Sequence, residues 1–312
     1  MKKFKTLNSV ILAALMLFSR GYFIQKAFCG GTVRRPVVSG RFYPSDARAL
    51  RIMIENFLEK AAPSKLEGEL IGLVVPHAGY RYSGEIAAWG YKLLEEKEFE
   101  TVVILGPSHY LHYQGSSVYN IGDYRTPLGV VKVNKGLSDK IIAENKQITY
   151  YAPLHQKEHS VEVEVPFLQV VLNNFSIIPV VIGDKKMAIC RGLADALTKV
   201  LKGKKILFIA SSDMSHYYEY ATANLIDEKT LRAIERFSPD ELSDKLNSGD
   251  VELCGGAAII TVMIAAKKFG ADKVKVLKYA NSGDTSGEKK SVVGYAAIAF
   301  YRSSKKPPAS LE

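Results

Sequence analysis

Short uninterrupted apolar runs alternate along this chain with longer stretches of helical spacing. Residues 71–75, 102–105, 177–182 and 206–210 are such runs, the mark of strands buried on both faces. Residues 46–61 carry Leu50, Ile52, Met53, Ile54, Phe57 and Leu58 at helical spacing, with Pro63 beyond the end. Residues 84–96, 135–145, 185–201 and 219–237 also predict helices, and Ser238-Pro239-Asp240-Glu241 opens another with proline in its first turn. Residues 254–269 predict an apolar helix, and residues 274–277 and 292–300 predict strands. Residues 130–133 alternate like a strand near an edge. The segment 160–172 mixes both periods; it predicts a helix capped by Ser160, with Pro166 early enough to be tolerated. Gly283-Asp284-Thr285-Ser286-Gly287 reads as a flexible loop.

Strands alternating with helices predict a single α/β domain over residues 34–302, with a mostly parallel central sheet flanked by helices. The chain's 312 residues, 47% of them hydrophobic, suffice for one large core. No linker or internal repeat divides it. Residues 303–312 are polar and proline-containing and predict a disordered tail.

The net charge of +10 does not indicate a nucleic-acid partner. Half of it comes from Lys2, Lys3, Lys5, Arg20 and Lys26 in residues 1–33, where there is no acid. The rest is spread along the chain, without the clustered basic face that nucleic acid requires. Three lysines followed by an uncharged stretch at 6–19 have the layout of a signal peptide or membrane-anchoring segment, with a poor cleavage motif before Cys29. The expectation is export or anchoring if residues 1–29 act as a signal, and a cytoplasmic protein otherwise. Any membrane contact would run through this segment alone. Cys29, Cys190 and Cys254 are too few for a disulfide framework, and Cys190 falls in a helical pattern as a small core residue.

Chemistry-bearing residues gather at the ends of the apolar runs. Residues 71–75 lead into Pro76-His77-Ala78-Gly79-Tyr80, and residues 102–105 into Gly106-Pro107-Ser108-His109-Tyr110. Residues 206–210 lead into Ser211-Ser212-Asp213-Met214-Ser215-His216. In an open α/β sheet the carboxyl ends of the strands converge on one edge, where ligands bind. Cys254 opens a helix and is followed by two glycines, so a depressed thiol pKa is expected there. Two imidazoles and a thiolate suit a borderline or soft metal, which makes His77, His109 and Cys254 the candidate ligands. Asp213 and His216, spaced i, i+3, are candidate orienter and general acid/base. His159, before the segment from Ser160, is a candidate second base or anion contact. His112 and His155 read as loop residues, and Tyr80, Tyr82, Tyr110 and Tyr113 as walls of a pocket. A hydrolase reading would use Ser212 or Ser108 with His216 and Asp213. No nucleotide-binding glycine motif and no G-x-S-x-G elbow occurs.

At these positions the chain resembles the Memo family, the protein B component of the bacterial AmmeMemoRadiSam set. The resemblance lies in Ser39-Gly40-Arg41-Phe42-Tyr43, Pro76-His77-Ala78-Gly79-Tyr80, Gly106-Pro107-Ser108-His109 and Glu158-His159-Ser160-Val161-Glu162. It continues in Ile178-Pro179-Val180, Ser211-Ser212-Asp213-Met214-Ser215-His216 and Cys254-Gly255, in order over nearly the whole core. The resemblance implies a fold similar to class III, LigB-type extradiol dioxygenases, which hold non-heme iron. It implies metal ligation at His77, His109 and Cys254, with Asp213 and His216 nearby. Where those enzymes use two histidines and a carboxylate, this chain offers Cys254, a departure that argues against ring cleavage. The expected metal is Fe(II), with Cu or Zn as alternatives. The expected function is a metal-dependent oxidoreductase; the alternative is a non-catalytic binding or accessory module with a vestigial dioxygenase-like pocket. The resemblance further implies a radical SAM protein and an AMMECR-type protein as partners, and a small-molecule or peptide ligand in the pocket.

Overall fold

The computed structural model describes residues 32–304 and shows why the apolar runs are strands. In chain order the strands are β1 (Thr32–Arg34), β2 (Gly68–Val75), β3 (Thr101–Pro107), β4 (Ser116–Val118), β5 (Gly122–Thr126) and β6 (Gly129–Val133). Then come β7 (Ile148–Thr149), β8 (Ser176–Ile182), β9 (Ile206–Ser211), β10 (His216–Tyr218), β11 (Lys273–Asn281) and β12 (Val292–Ser303). They form one mixed sheet whose main path runs β1-β5-β6-β8-β3-β9-β2-β12-β10. Its centre, β6-β8-β3-β9-β2, is parallel throughout. β12 closes it antiparallel to β2, and β11 and β10 pair antiparallel with β12. The innermost strand β3 is apolar on both faces because a separate core lies against each side of the sheet.

Helices α1 (Ala47–Lys60) and α2 (Tyr80–Tyr91) cover one face. Asp46 caps α1 by accepting from Ala49 N at 2.8 Å, and Leu50, Ile54 and Leu58 form the buried stripe that the spacing predicted. α3 (Lys135–Glu144), α4 (Ala152–Gln156) and α5 (Val165–Val171) follow in the chain. α6 (Met187–Leu201), α8 (Pro239–Ser248) and α9 (Gly256–Lys268) contribute to the core on the other face. α7 (Tyr220–Glu235) precedes α8, and α10 (Ser282–Ser286) precedes β12. Among the described residues no helix is long and apolar enough to cross a membrane.

Several expectations are corrected. The segment 160–172 is not one helix capped by Ser160: a turn at Ser160 and Val161 leads into a 3₁₀ turn, Glu162–Glu164, and then α5. Ser160 Oγ donates instead to the carbonyl of Pro107, and the Glu158 carboxylate takes the His159 and Ser160 amides. Pro166 sits in the first turn of α5, where no intrahelical donor is lost. α2 begins at Tyr80 rather than residue 84, because Tyr80 is a core residue whose hydroxyl donates to Val163 O at 2.7 Å. β6 lies near one end of the sheet, third on the path with β5 and β8 beside it, and its alternation reflects one uncovered face. Residues 283–287 fall in and just after α10, held by a capping box between Asn281 and Asp284. His155 is not a loop residue but a buried part of α4, hydrogen-bonded to Ser117. The signal-like segment and most of the expected tail lie outside the described residues; β12 runs through Ser303, and the packed domain already begins at Thr32.

Candidate metal centre

Register builds the site. Val75 on β2 pairs with Ser211 on β9, so the chain two residues further along each parallel strand places His77 beside Asp213. The Asp213 carboxylate accepts from His77 N at 2.8 Å, which ties the two strand ends together. Two strands away across β9, β3 delivers His109. Cys254 arrives from the turn before α9, where its amide donates to Asp213 O. A Cβ on Gly255 would lie 2.3 Å from Ser211 O, so only glycine lets the α9 entrance approach the end of β9 this closely.

One ligand atom from each of His77, His109 and Cys254 falls in a group within 4.8 Å of one another. His77 Nε2 lies 3.3 Å from Cys254 Sγ. His77 Nδ1 lies 2.7 Å from Ser211 Oγ, and His109 Nδ1 lies 2.9 Å from Glu158 Oε1. Each imidazole thus has one nitrogen anchored from behind, which leaves Nε2 toward the shared point. Asp213, His216 and Cys254 form a second such group, and His109, Glu158 and His159 a third. The three groups share residues and make one continuous site. The His109 and His159 rings stack at 4.6 Å, and His77 meets both edge-on at 5.1 and 5.6 Å.

Burial sets the protonation of the site. Burial, then the nearby His109 and His159, pushes His77 well below the ordinary imidazole range. Burial likewise lowers His159 to about 4. Burial opposes charge on His109 too, but the hydrogen bond and charge of Glu158 outweigh it and raise His109. Burial alone would raise Glu158; hydrogen bonds from the His109 ring and from the His109 and Ser160 amides, with the His109 charge, hold it at about 2. Burial lifts Asp213 to about 6 against the His77 amide and the charges of His216 and His109. The expected depression of Cys254 is overturned. Burial and the Asp213 charge push its thiol far up, and the Asp213 amide that donates to Sγ at 3.1 Å only partly offsets them. Cys254 precedes the α9 N-cap, Gly255, rather than occupying the first turn.

His216, on β10, is bound through its amide to Glu252 at 3.1 Å. Neither proposed nucleophile reaches it: Ser212 Oγ donates to Asp213 O, and Ser108 Oγ to Leu111 O. The hydrolase reading therefore lacks its nucleophile–base contact. A cavity of about 490 Å³ adjoins Cys254, with Pro107, Ser108, Lys185, Leu246 and Leu253 among its lining residues. Of the tyrosines expected to wall a pocket, Tyr80 is core, Tyr113 bonds Thr149, and Tyr110 stands exposed with its ring 6.5 Å from His109.

Sequence reasoning assigned no role to Glu158, Ser211 or Glu164. Glu158 accepts from the ring and amide of His109 and from the amides of His159 and Ser160. Glu164 is fully buried, receives the Tyr91 hydroxyl at 2.6 Å and lies 2.7 Å from Ser211 Oγ. Burial raises its carboxyl to about 8 despite those hydroxyls. The available signal was three glutamates in seven residues, Glu158, Glu162 and Glu164, within a stretch otherwise apolar enough to be core.

A MEMO1 family protein of Methanobrevibacter smithii is 37% identical over 280 residues, covering 86% of this chain and 99% of the relative. Those of Pyrobaculum aerophilum and Saccharolobus solfataricus are each 39% identical over 281 residues, with the same coverage. An uncharacterized protein from Escherichia coli K12 superposes with a TM-score of 0.48 at 12% identity, over 74% of this chain and 99% of that one. The family model for the Memo-like protein matches residues 34–299, and the chain belongs to that family.

Proposed function

We propose that this Memo-like protein holds one divalent transition metal between His77 Nε2, His109 Nε2 and Cys254 Sγ, and acts there as an oxidoreductase on a small-molecule or peptide ligand. The supporting observation is the convergence of the three ligand atoms within 4.8 Å. The donor set fits. Two ligands of a tetrahedral ion with bonds of about 2.0–2.3 Å sit roughly 3.5 Å apart, and the Sγ–Nε2 separation is 3.3 Å. Imidazole and thiolate together suit Zn, Cu or Fe(II), and Fe(II) is put first on the resemblance to non-heme-iron dioxygenases. Fe(II) with open positions would supply electron-transfer chemistry toward a bound ligand or O₂. The protein's own part is to present and balance charge. Ser211 and Glu158 orient the rings, and Cys254 gives up its proton to become a ligand. Asp213, with a carboxyl raised to about 6, and His216 stand within reach to hold or move that proton. His159 is a neutral base stacked on the His109 ring.

The test is elemental analysis of anaerobically purified full chain before and after Fe(II) reconstitution. The expected result is about one equivalent of metal, lost in Cys254→Ala and His77→Ala variants with unchanged circular dichroism. Less than about a tenth of an equivalent of Fe, Cu or Zn after reconstitution would overturn the reading. The partners implied by the bacterial set, a radical SAM protein and an AMMECR-type protein, are tested by co-purification with the full chain.

A further inference from the structure

We infer that Ser211 and Glu164 form a positioning relay that fixes the tautomer of His77, keeping its ring proton on Nδ1 and its Nε2 lone pair toward Cys254. The inference deepens the metal-site reading, because a ring carrying its proton on Nε2 could not ligate through that atom.

The argument is a count of hydrogens. A serine hydroxyl has one hydrogen to give and two lone pairs to receive. Ser211 Oγ has three partners, each at 2.7 Å: the carbonyl of Ser160, Oε1 of Glu164 and Nδ1 of His77. A carbonyl can only accept, so the hydroxyl hydrogen goes to Ser160. Both remaining partners must then donate. Glu164 must carry a hydrogen on Oε1, and His77 must carry one on Nδ1. Oε2 of Glu164 is already the accepting end, because Tyr91 Oη donates to it at 2.6 Å. With these assignments every bond is made once and no lone pairs face each other.

The alternatives fail on burial. Ser160, Glu164 and Ser211 have no exposed surface and His77 is 2% exposed, so bulk water cannot replace a missing hydrogen. Turning the hydroxyl toward His77 or toward an ionised Glu164 sets its lone pair against the Ser160 carbonyl at 2.7 Å. No cation is among the groups acting on Glu164; the charge felt there is that of Asp213, which disfavours a second carboxylate. His109 has a different anchor, an ionised carboxylate at Nδ1. The two rings are therefore oriented by one neutral and one charged device.

The decisive measurements use metal-free full chain, so they stand or fall independently of metal binding. Long-range ¹H–¹⁵N correlation of ¹⁵N-histidine-labelled protein near neutral pH should show His77 protonated at Nδ1 and bare at Nε2. Infrared spectra should show a carboxylic-acid carbonyl band that shifts on ¹³C-glutamate labelling and disappears in Glu164→Gln. A His77 proton on Nε2, or the absence of that band in the wild type, would overturn the relay while leaving the metal titration untouched. If the metal-site reading also holds, Ser211→Ala should weaken Co(II) binding by about 10–100-fold. Glu164→Gln, whose amide N–H can donate to Ser211 as the acid does, should keep the Nδ1 proton. Loss of that proton in a folded Glu164→Gln would also overturn the relay.

Discussion

Replacing Glu164 by glutamine should make the protein more stable at high pH, although it alters a buried, doubly bonded side chain. Glu164 is fully buried beside two hydroxyls, and its carboxyl is raised from 4.5 to about 8, mainly by burial. The unfolded chain releases this proton near the ordinary value, whereas the folded chain keeps it until the pH passes the raised one. Between those values the native state binds one more proton than the unfolded state, so stability falls as pH rises, by about 1.4 kcal/mol per unit. Over the full window the loss comes to roughly 4–5 kcal/mol. Glutamine is uncharged, has the same shape and lacks this slope. Urea unfolding of metal-free wild type and Glu164→Gln is the assay, with the difference in stability followed at each pH. Near pH 5 the two should agree within about 1 kcal/mol, the worth of one altered hydrogen bond. By about pH 8.5 the variant should be ahead by several kcal/mol. Taking the difference removes Asp213, His155 and His159, which titrate in both proteins. A difference that stays constant from about pH 5 to 8.5 would refute the reasoning.

Three further outcomes follow from the same geometry. Glu162→Gln should cost about 3–5 kcal/mol in urea unfolding, because the fully buried carboxylate receives Arg34 Nη1, the Val37 and Val38 amides and the Tyr43 hydroxyl. Gly255→Ala should cost about 1–3 kcal/mol and displace Cys254, since the added Cβ would meet backbone at Ser211; unchanged stability and full metal content would count against the close approach. Glu158→Gln should weaken Co(II) binding by about 10–100-fold in chelator competition, because the charge behind His109 is lost and only one of two accepting oxygens remains for four N–H donors.

The parallel centre of the sheet was legible because a strand buried on both faces leaves a continuous apolar run, and 71–75, 102–105, 177–182 and 206–210 all lie within strands of that centre. The small strands were not legible. β4 is Ser116–Val118 and β10 is His216–Tyr218, each only three residues long, and no periodicity emerges from so few positions. Their existence depends on tertiary pairing, β4 against β8 and β10 against β12. The misread segment 160–172 failed for a related reason. Its alternating valines and glutamates imitate a strand's period although both sets are buried, because the glutamates point inward to partners supplied by β9, α2 and residues 34–43.

That failure bears directly on the site. Strand-end histidines announce themselves in a sequence, since the carboxyl ends of strands in an open α/β sheet are where ligands bind. The groups that decide their protonation do not, because a buried carboxylate's state depends on what meets it. Glu158 meets four donors and is ionised, held at about 2. Glu164, six residues on, meets hydroxyls and no cation, and its carboxyl rises to about 8. The same side chain is thus a fixed negative charge behind His109 and, at neutral pH, a hydrogen donor two bonds behind His77. Cys254 makes the same point in reverse: a thiol at a helix entrance invites the expectation of a thiolate, yet burial and Asp213 keep it protonated. In the metal-free protein near neutral pH, then, the site carries its charge on the Glu158–His109 pair and on Asp213, while His77 and Cys254 face each other neutral at 3.3 Å. Entry of a divalent cation must expel the Cys254 thiol proton and, where the raised His109 imidazole is still charged, its Nε2 proton, so metal affinity should rise with pH through Cys254 and His109 rather than through His77.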